Sequence, residues 1–250
     1  MRTRLGTSGV EQAANQEDQV SAATSAVPGG PLRLRLADVD VAGQIALLHA
    51  DSWRRHYRGA YADSFLDGDV VADRRAVWAA RLATPAGSHT VVAEDDDRLV
   101  GFIHVVFDRD PRWGSLVDNL HVARDRQRTG VGTALLAQAA RAVVDHATTV
   151  GLYLWVLEQN TAAQQFYRAC GARHVETALV SPPGGDPSRL NGRPRKLRMA
   201  WPDATVASDL DTPAGHGDGR RSRGGPGGGA RRTAECERQC LSMSLAVSSR

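Results

Sequence analysis

The chain has 250 residues, 31 of them basic and 28 acidic, so its formal net charge is only +3. So small a surplus provides no cationic surface of the kind that binds nucleic acid or an anionic membrane. Its three cysteines, Cys170, Cys236 and Cys240, are too few for a disulfide framework and lack zinc-ligand spacing. Since no apolar signal segment is present either, these features predict a cytoplasmic protein without a bound metal.

The two ends of the chain differ in composition from its middle. Residues 1–31 are poor in apolar side chains, and residues 203–250 are rich in Gly and Arg without an amphipathic period. Such segments bury too little apolar surface to offset the entropy lost on ordering. We therefore expect a flexible extension at 1–31, one domain over 32–202 and a disordered Gly/Arg-rich tail at 203–250.

The first half of the domain predicts a strand, two helices and three more strands. Period-two alternation or hairpin flanks indicate strands at Leu32–Leu36, Thr90–Glu94, Leu99–Phe107 and Ser115–Val122. Apolar residues recur at helical spacing from Val41 to Tyr57 and again over Val70–Leu82. Three consecutive strands after the helices imply an antiparallel meander.

The second half alternates helices and strands. An apolar stripe predicts a long helix from near Gly130 to about Ala147, and Asn160 precedes a second helix over Thr161–Cys170, which Gly171 ends. The remaining strands are Leu152–Leu157, Arg173–Val180 and Arg195–Trp201. The order predicts an α+β fold, an α/β/α sandwich around a mixed, mostly antiparallel sheet of about six to seven strands.

A glycine-containing turn leads directly into the long helix. Gly130 and Gly132 lie where the helix begins, after a polar segment that follows the strand ending at Val122. The first amides of a helix lack internal partners and carry the positive end of its dipole, so a diphosphate can accept hydrogen bonds there. Glycines let the backbone approach such a ligand closely.

Other diphosphate sites fit the turn less well. A dinucleotide site needs its first glycine directly after the strand and a third small residue, but a basic segment intervenes and Leu135 takes the third position. A Walker loop needs Gly-Lys-Ser/Thr, which does not follow. Coenzyme A is the diphosphate ligand that remains.

Two motifs resemble those of a known family. Gln127-Arg-Thr-Gly130-Val-Gly132 matches the Q/R-x-x-G-x-G/A signature of the GNAT N-acetyltransferases, and Asn160 to Tyr167 matches their Asn-x-x-Ala-x-x-Phe-Tyr helix. The element order is similar as well, so the resemblance, to single-domain bacterial members, covers roughly residues 32–201. It implies a GNAT-like fold and an acetyl-CoA-dependent acyltransferase.

The resemblance also implies roles for particular residues. The backbone of the strand before the turn would pair with the pantetheine arm beside a bulge, the turn amides would hold the diphosphate, and Asn160 would bond the pantetheine. Tyr167 would direct its hydroxyl at the coenzyme sulfur, although the family's usual Gly-Phe after this helix is Gly171-Ala172 here. The implied coenzyme-binding residues are Leu120, His121, Val122, Gln127, Arg128, Thr129, Gly130, Val131, Gly132, Thr133, Asn160, Ala163 and Tyr167.

An amine acceptor must lose a proton before it attacks, because a lysine-like amine has a solution pKa of about 10.4. Asp118, His121 and Glu158 are the candidate proton acceptors. Asp118 leads because period-two alternation places it on the face of Leu120, although a bulge would shift that register and an earlier bulge would favour His121. An ion pair for Asp118, a buried ring for His121 and a loop charge for Glu158 are the structural alternatives.

The acceptor pocket is the least defined part of the prediction. In the family, the helices after the first strand wall this pocket, so its candidate residues are Trp53, His56, Tyr57 and Tyr61, with core packing as the alternative. The loop at Ser181–Gly192 is long enough to act as a specificity lid. The acceptor is a primary amine, of a small molecule or of a protein, and a homodimer stays open.

We therefore predict an N-acetyltransferase that moves the acetyl group of acetyl-CoA directly to an amine in a ternary complex, since no cysteine lies where a covalent carrier is needed. Two alternatives stay open. One is an acyl-CoA-binding sensor of the same fold without turnover, and the other is a transferase for a longer acyl group.

Overall fold

A seven-stranded sheet organises the chain in a computed structural model that describes residues 32–211. The strand order is β1-β2-β3-β4-β5-β7-β6, and all neighbours are antiparallel except β4 and β5, which are parallel. The strands are β1 (Arg33–Leu36), β2 (Ser88–Asp95), β3 (Arg98–Asp110), β4 (Gly114–Val122), β5 (Leu152–Leu157), β6 (Arg173–Leu179) and β7 (Arg195–Trp201). The predicted mixed, mostly antiparallel sheet is confirmed.

Helices cover both faces of this sheet. They are α1 (Ala42–His56), α2 (Asp63–Leu66), α3 (Val70–Ala83), α4 (Val131–His146), α5 (Thr161–Ala169) and α6 (Thr205–Ser208). On one face, Ile45 of α1 and Trp78 of α3 pack with Phe102. On the other, Leu135 of α4 packs with Leu120 of β4. The predicted sandwich is confirmed, whereas the four-residue α2 is too short for a periodic pattern to predict.

Helix α4 approaches the sheet closely because β3 has a glycine beneath it. A Cβ at Gly101 would lie 3.0 Å from a side-chain atom of Leu135 and 3.1 Å from one of Val131. Gly101 pairs with Val122, the last residue of β4. The start of α4 is therefore held directly over the end of β4.

The parallel pair β4–β5 is joined over only three residue pairs, from Ser115–Leu152 to Val117–Leu154. The backbones of the two strands approach closely where the pairing begins, since a Cβ at Gly114 would lie 2.2 Å from the carbonyl oxygen of Gly151. Beyond Val117, no further residue pair joins the two strands in the described part of the chain, although both continue. A gap opens there between β4 and β5.

A bulge at Asp118 corrects the predicted register of β4. His104 of β3 pairs with Asn119 while Val105 pairs with Val117, so Asp118 is the extra residue. Asp118 points to α3, where it forms an ion pair, whereas Leu120 belongs to the apolar cluster that includes α4. The predicted shared face of Asp118 and Leu120 is therefore wrong, because the bulge precedes Leu120 and shifts the alternation by one.

The C-terminal boundary of the domain lies later than predicted. Residues 203–211 include α6, and Ala204, Ala207 and Leu210 are buried in the same cluster as α4. The predicted disorder from residue 203 is therefore wrong for 203–211, while the predictions for 1–31 and 212–250 lie outside the described residues. Within residues 32–211, every helix falls short of the length and apolar character needed to cross a membrane.

Candidate active site

The turn before α4 has the backbone conformation that its glycine predicts. Gly130 is the N-cap of α4 and has a φ of +87°, a region open to glycine and costly for other residues. Arg128 also has a positive φ, +63°, which costs a residue with a Cβ about 1–3 kcal/mol. The turn thus exposes the first amides of α4, whose N–H groups have no acceptor inside the helix.

Polar contacts hold this turn against the neighbouring β2–β3 hairpin. The side chain of Gln127 donates to the carbonyl oxygen of Val122 at 3.3 Å. Arg126 pairs with Asp95 of β2 at 3.0 Å, and Arg98 of β3 pairs with Asp125 at 2.6 Å. The hydrogen bond from Arg98 lowers the pKa of Asp125. The turn is therefore positioned before any ligand arrives.

The turn and the strand gap together present groups that could hold coenzyme A. The edge of β4 beyond Asp118 faces the gap, so an extended pantetheine arm can pair with it as a strand would. The gap leads to the first turn of α4, where a diphosphate would meet amide groups and the helix dipole. The exposed guanidinium of Arg128 has no ion pair with any residue from 32 to 211, which leaves it able to contact phosphate oxygens.

Helix α5 is fixed at both ends. The side-chain oxygen of Asn160 accepts from the amide of Ala163 at 3.1 Å. At the other end, Gly171 has a φ of +93°, its amide donates to Arg168, and the amide of Ala172 donates to the carbonyl oxygen of Tyr167, both at 2.9 Å. This pair of bonds is a Schellman motif, so the predicted C-terminal role of Gly171 is confirmed.

The departure from Gly-Phe to Gly171-Ala172 leaves Tyr167 well packed. Its side chain is fully buried, with ring centroids 5.3 Å from Phe166 and 6.2 Å from Trp201, both in edge-to-face geometry. Trp201 in turn donates its indole N–H to the carbonyl oxygen of Cys170 at 2.9 Å. The role expected of the Tyr167 hydroxyl stays a prediction.

The face of β4 opposite α4 carries two of the three candidate proton acceptors, Asp118 and His121. Arg81 of α3 pairs with Asp118 at 2.7 Å, and the side-chain amide of Asn119 donates to the same carboxylate oxygen at 2.8 Å. The ion pair considered from the sequence is therefore present. Glu158 is half exposed and 3.7 Å from Arg195, as expected of a loop charge.

His121 lies on this same face, in contact with a second histidine. Its ring centroid is 4.5 Å from that of His49 and 4.9 Å from that of Phe102. Burial holds the pKa of His121 well below its ordinary value. Burial does the same to the pKa of His49, so both imidazoles are neutral at physiological pH.

Three of the four predicted pocket residues form a tight aromatic cluster. Trp53, Tyr57 and Tyr61 are buried, with ring centroids 4.6 to 5.6 Å apart. Leu157, at the end of β5, belongs to the same cluster. Packing thus accounts for most of their surface, although Tyr61 and Trp53 also bring buried polar atoms. His56 is half-buried, and burial lowers its pKa to about 4.

The predicted lid loop is joined to the segment after α1. Asn191 donates its amide to Ala60 at 2.9 Å, and Ala62 donates to Arg189 at 3.0 Å. Tyr61 and Leu190 form an isolated antiparallel bridge. The loop is therefore joined by backbone contacts to residues 60–62, and its role as a specificity lid stays a prediction.

Sequence reasoning missed the charged residues of β7 that pack on Trp155. Lys196 lies 4.6 Å from the ring centroid of Trp155, and Arg198 stacks on the same ring at 4.5 Å. Both belong to the predicted strand Arg195–Trp201, where cations at alternate positions signalled one polar face. The sequence alone therefore indicates a polar face on β7, but only the fold shows that this face packs on Trp155.

Comparison with known proteins identifies the class that this fold and site define. Residues 50–172 match the acetyltransferase (GNAT) family model. An uncharacterised N-acetyltransferase of Bacillus subtilis, YuaI, is 26% identical over 182 residues, which cover 71% of this chain and 96% of that protein. These matches support membership of the chain in the GNAT superfamily.

Solved structures with low sequence identity share the fold. The PaiA N-acetyltransferase of Thermoplasma acidophilum, solved in complex with coenzyme A, is 15% identical and superposes with a TM-score of 0.54. The match covers 69% of this chain and 100% of that chain. Arabidopsis thaliana NAA60 with a bisubstrate analogue is 14% identical with a TM-score of 0.50, covering 68% of this chain and 98% of that one. At these identities the likeness supports the fold alone.

Proposed function

We propose that this protein transfers the acetyl group of acetyl-CoA to a primary amine, directly and within a ternary complex. The observation that carries the proposal is the gap between β4 and β5, which leads to the glycine-capped start of α4. One extended ligand with a diphosphate fits both features. Family membership and the coenzyme bound in the PaiA structure support this assignment.

Backbone groups hold the coenzyme in this proposal. The edge of β4 at Leu120 and Val122 pairs with the pantetheine amides, and the amides from Gly130 to Gly132 bind the diphosphate. Because the turn is already fixed by Gln127 and two ion pairs, little ordering entropy is lost on binding. The thioester then supplies an activated acetyl group at the bulge.

The acceptor amine approaches from the opposite face of β4. There, Asp118 takes the ammonium proton, directly or through water, because its carboxylate brings a negative charge to this face beside the bulge. Arg81 and Asn119 fix the position of the carboxylate. His121 lies on the same face as a neutral imidazole, and it stays the second candidate for the proton.

The leaving thiolate is stabilised from α5. Tyr167 donates its hydroxyl proton, or a hydrogen bond, to the sulfur, and the Schellman motif with Trp201 fixes its ring. Direct transfer agrees with the position of Cys170, which is buried at the C-terminal end of α5. No step of this scheme needs a covalent acetyl carrier.

Initial-rate kinetics with acetyl-CoA and a panel of primary amines test the function. We expect coenzyme A release only when both substrates are present, an acetylated amine by mass spectrometry, and intersecting double-reciprocal lines. Parallel lines would indicate a covalent intermediate instead. Tight coenzyme binding without product from any amine would identify a sensor, and faster transfer from butanoyl-CoA would identify a longer acyl group.

A further inference from the structure

Lys196 is a buried cation without an anionic partner. It lies on β7 opposite Leu157, is 7% exposed, and places its ammonium 4.6 Å from the ring centroid of Trp155. Within residues 32–211 it forms no hydrogen bond or ion pair. Burial, together with the charge of Arg198, lowers the pKa of Lys196 to about 8, so the ammonium still predominates at pH 7.

Three other buried or half-buried cations on this side of the sheet have an anionic partner, whereas the half-buried Arg54 donates to the carbonyl oxygens of Leu66 and Gly68. Arg81 pairs with Asp118 at 2.7 Å, and Arg74 pairs with Asp73. Arg198, which shares the Trp155 ring with Lys196, pairs with Asp110 at 2.9 Å and with Glu176 at 3.1 Å. A buried charge without a partner is costly. Lys196 is therefore a position on this face at which an anion would be stabilised.

Helix α1 and the segment after it present unused hydrogen-bond donors, and two of these residues, Trp53 and Tyr61, share an apolar cluster with Leu157, the residue that pairs with Lys196. Trp78 donates to Nδ1 of His49 at 3.0 Å, which places the imidazole proton on Nε2. This Nε2, the indole nitrogen of Trp53 and the hydroxyl of Tyr61 are buried and have no hydrogen-bond partner in the described part of the chain. A face rich in donors suits a ligand rich in oxygen acceptors. The side-chain oxygen of Asn119, also without a partner there, can accept from an amine.

We propose that the acceptor is an amino carboxylate whose carboxylate group pairs with the ammonium of Lys196 while its amine lies at the β4 bulge. The inference rests on the proposed function and specifies its substrate class. The Trp155 ring beneath Lys196 limits where the ammonium can lie and provides an apolar floor beside the carboxylate. Polyamines and other multiply cationic acceptors are disfavoured, because Lys196 would repel their second charge.

Calorimetry on the protein saturated with coenzyme A tests the proposed ion pair between the acceptor carboxylate and Lys196, which we call the carboxylate anchor, without any turnover. The probes are N-acetylated linear amino carboxylates, from N-acetylglycine to N-acetyl-6-aminohexanoate, each compared with its carboxamide. We expect the carboxylate of the best-fitting length to bind about 10- to 100-fold more tightly than its carboxamide, as one charge-assisted hydrogen bond predicts. Lys196→Gln should abolish this preference, whereas Lys196→Arg should retain most of it.

A matched control removes a charge elsewhere. Arg173 of the edge strand β6 is exposed and has no ion pair within the described range, so Arg173→Gln should keep the preference. Equal affinity for every carboxylate and carboxamide pair, no binding of either, or a preference that survives Lys196→Gln would each overturn the proposal. An equal fall in kcat for both classes of acceptor in Lys196→Gln would also overturn it, because it would indicate proton transfer.

The two proposals fail in different ways. A carboxylate preference that depends on Lys196, found in a protein that acetylates no amine, supports the anchor and refutes the transferase. Transfer to simple amines without any carboxylate preference supports the transferase and refutes the anchor.

Discussion

The two faces of β4 form their halves of the candidate site by different means. Towards α4, the site consists of backbone groups: a strand edge beside a gap and the first amides of a helix capped by Gly130. Towards α1 and α3, it consists of side chains from separate elements, such as Asp118, His49 and Lys196. A backbone site requires particular residues at fixed spacing, whereas a side-chain site can change with each packed element. We therefore expect substitutions on the two faces to affect different kinetic constants.

The largest effect is expected at the start of α4. Gly132→Val should crowd the approach of the diphosphate and remove about two charge-assisted hydrogen bonds, which lowers affinity for acetyl-CoA by about 100-fold or more. Isothermal calorimetry measures this, and circular dichroism checks that the variant is folded. Unchanged affinity in a folded variant would place the coenzyme elsewhere and remove the basis of the comparison.

A second substitution separates turnover from coenzyme binding. Tyr167→Phe keeps the buried ring against Phe166 and Trp201 but removes the hydroxyl, so kcat should fall by about 100-fold with nearly unchanged affinity for acetyl-CoA. The test measures kcat with one accepted amine and, in parallel, the affinity for acetyl-CoA. Equal losses in binding and kcat would make Tyr167 a coenzyme contact, and no loss in either would exclude it from the reaction.

The acceptor face can be tested by breaking one ion pair from each side. Asp118→Asn and Arg81→Gln both remove the pair, but only the first removes the candidate proton acceptor. We expect Asp118→Asn to lower kcat at least about tenfold more than Arg81→Gln does. Similar losses in the two variants would show that the pair is structural, and attention would then move to His121.

The pH dependence of acceptor binding sharpens the comparison further. The pKa of Lys196 is lowered to about 8 by burial and by Arg198, while Glu176 and Asp118 oppose the shift. The lysine is charged below this pH, so the preference for a carboxylate should be present at pH 7 and fall by about tenfold per unit well above pH 8. Lys196→Arg should keep its preference to higher pH, and a wild-type preference that is constant to pH 10 would contradict the assignment.

The smallest functional effect is expected far from both faces. Leu210 is buried against the cluster that contains α4, so Leu210→Ala should lower the free energy of unfolding by about 2 kcal/mol and the melting temperature by about 4–8 °C. Affinity for acetyl-CoA should stay the same. Deletion of 212–250 should leave the melting temperature unchanged, and a drop as large as that of Leu210→Ala would show that this segment stabilises the domain.

Sequence predicted the fold and the glycine turn before α4 because each rests on local patterns, while the coenzyme site itself stays a prediction. The helix of α4 follows from its apolar stripe, and the turn follows from Gly130 and Gly132. By contrast, the direction of Asp118 depends on a bulge that strand alternation alone does not locate. The role of Lys196 depends on Trp155, which lies on another strand, and α6 is too short to give a periodic signal.

The short contact between β4 and β5 also has a consequence for how the chain reaches its native state. Strands β1 to β4 are neighbours in the sheet, with β2, β3 and β4 consecutive along the chain, and β6 and β7 also pair with each other. The chain between the parallel strands β4 and β5 includes the whole of α4, so their pairing closes a long loop. Only three residue pairs between the strands offset the entropy lost in closing it. Because non-local contacts form slowly, we expect the two halves of the sheet to assemble separately and to join last at this contact.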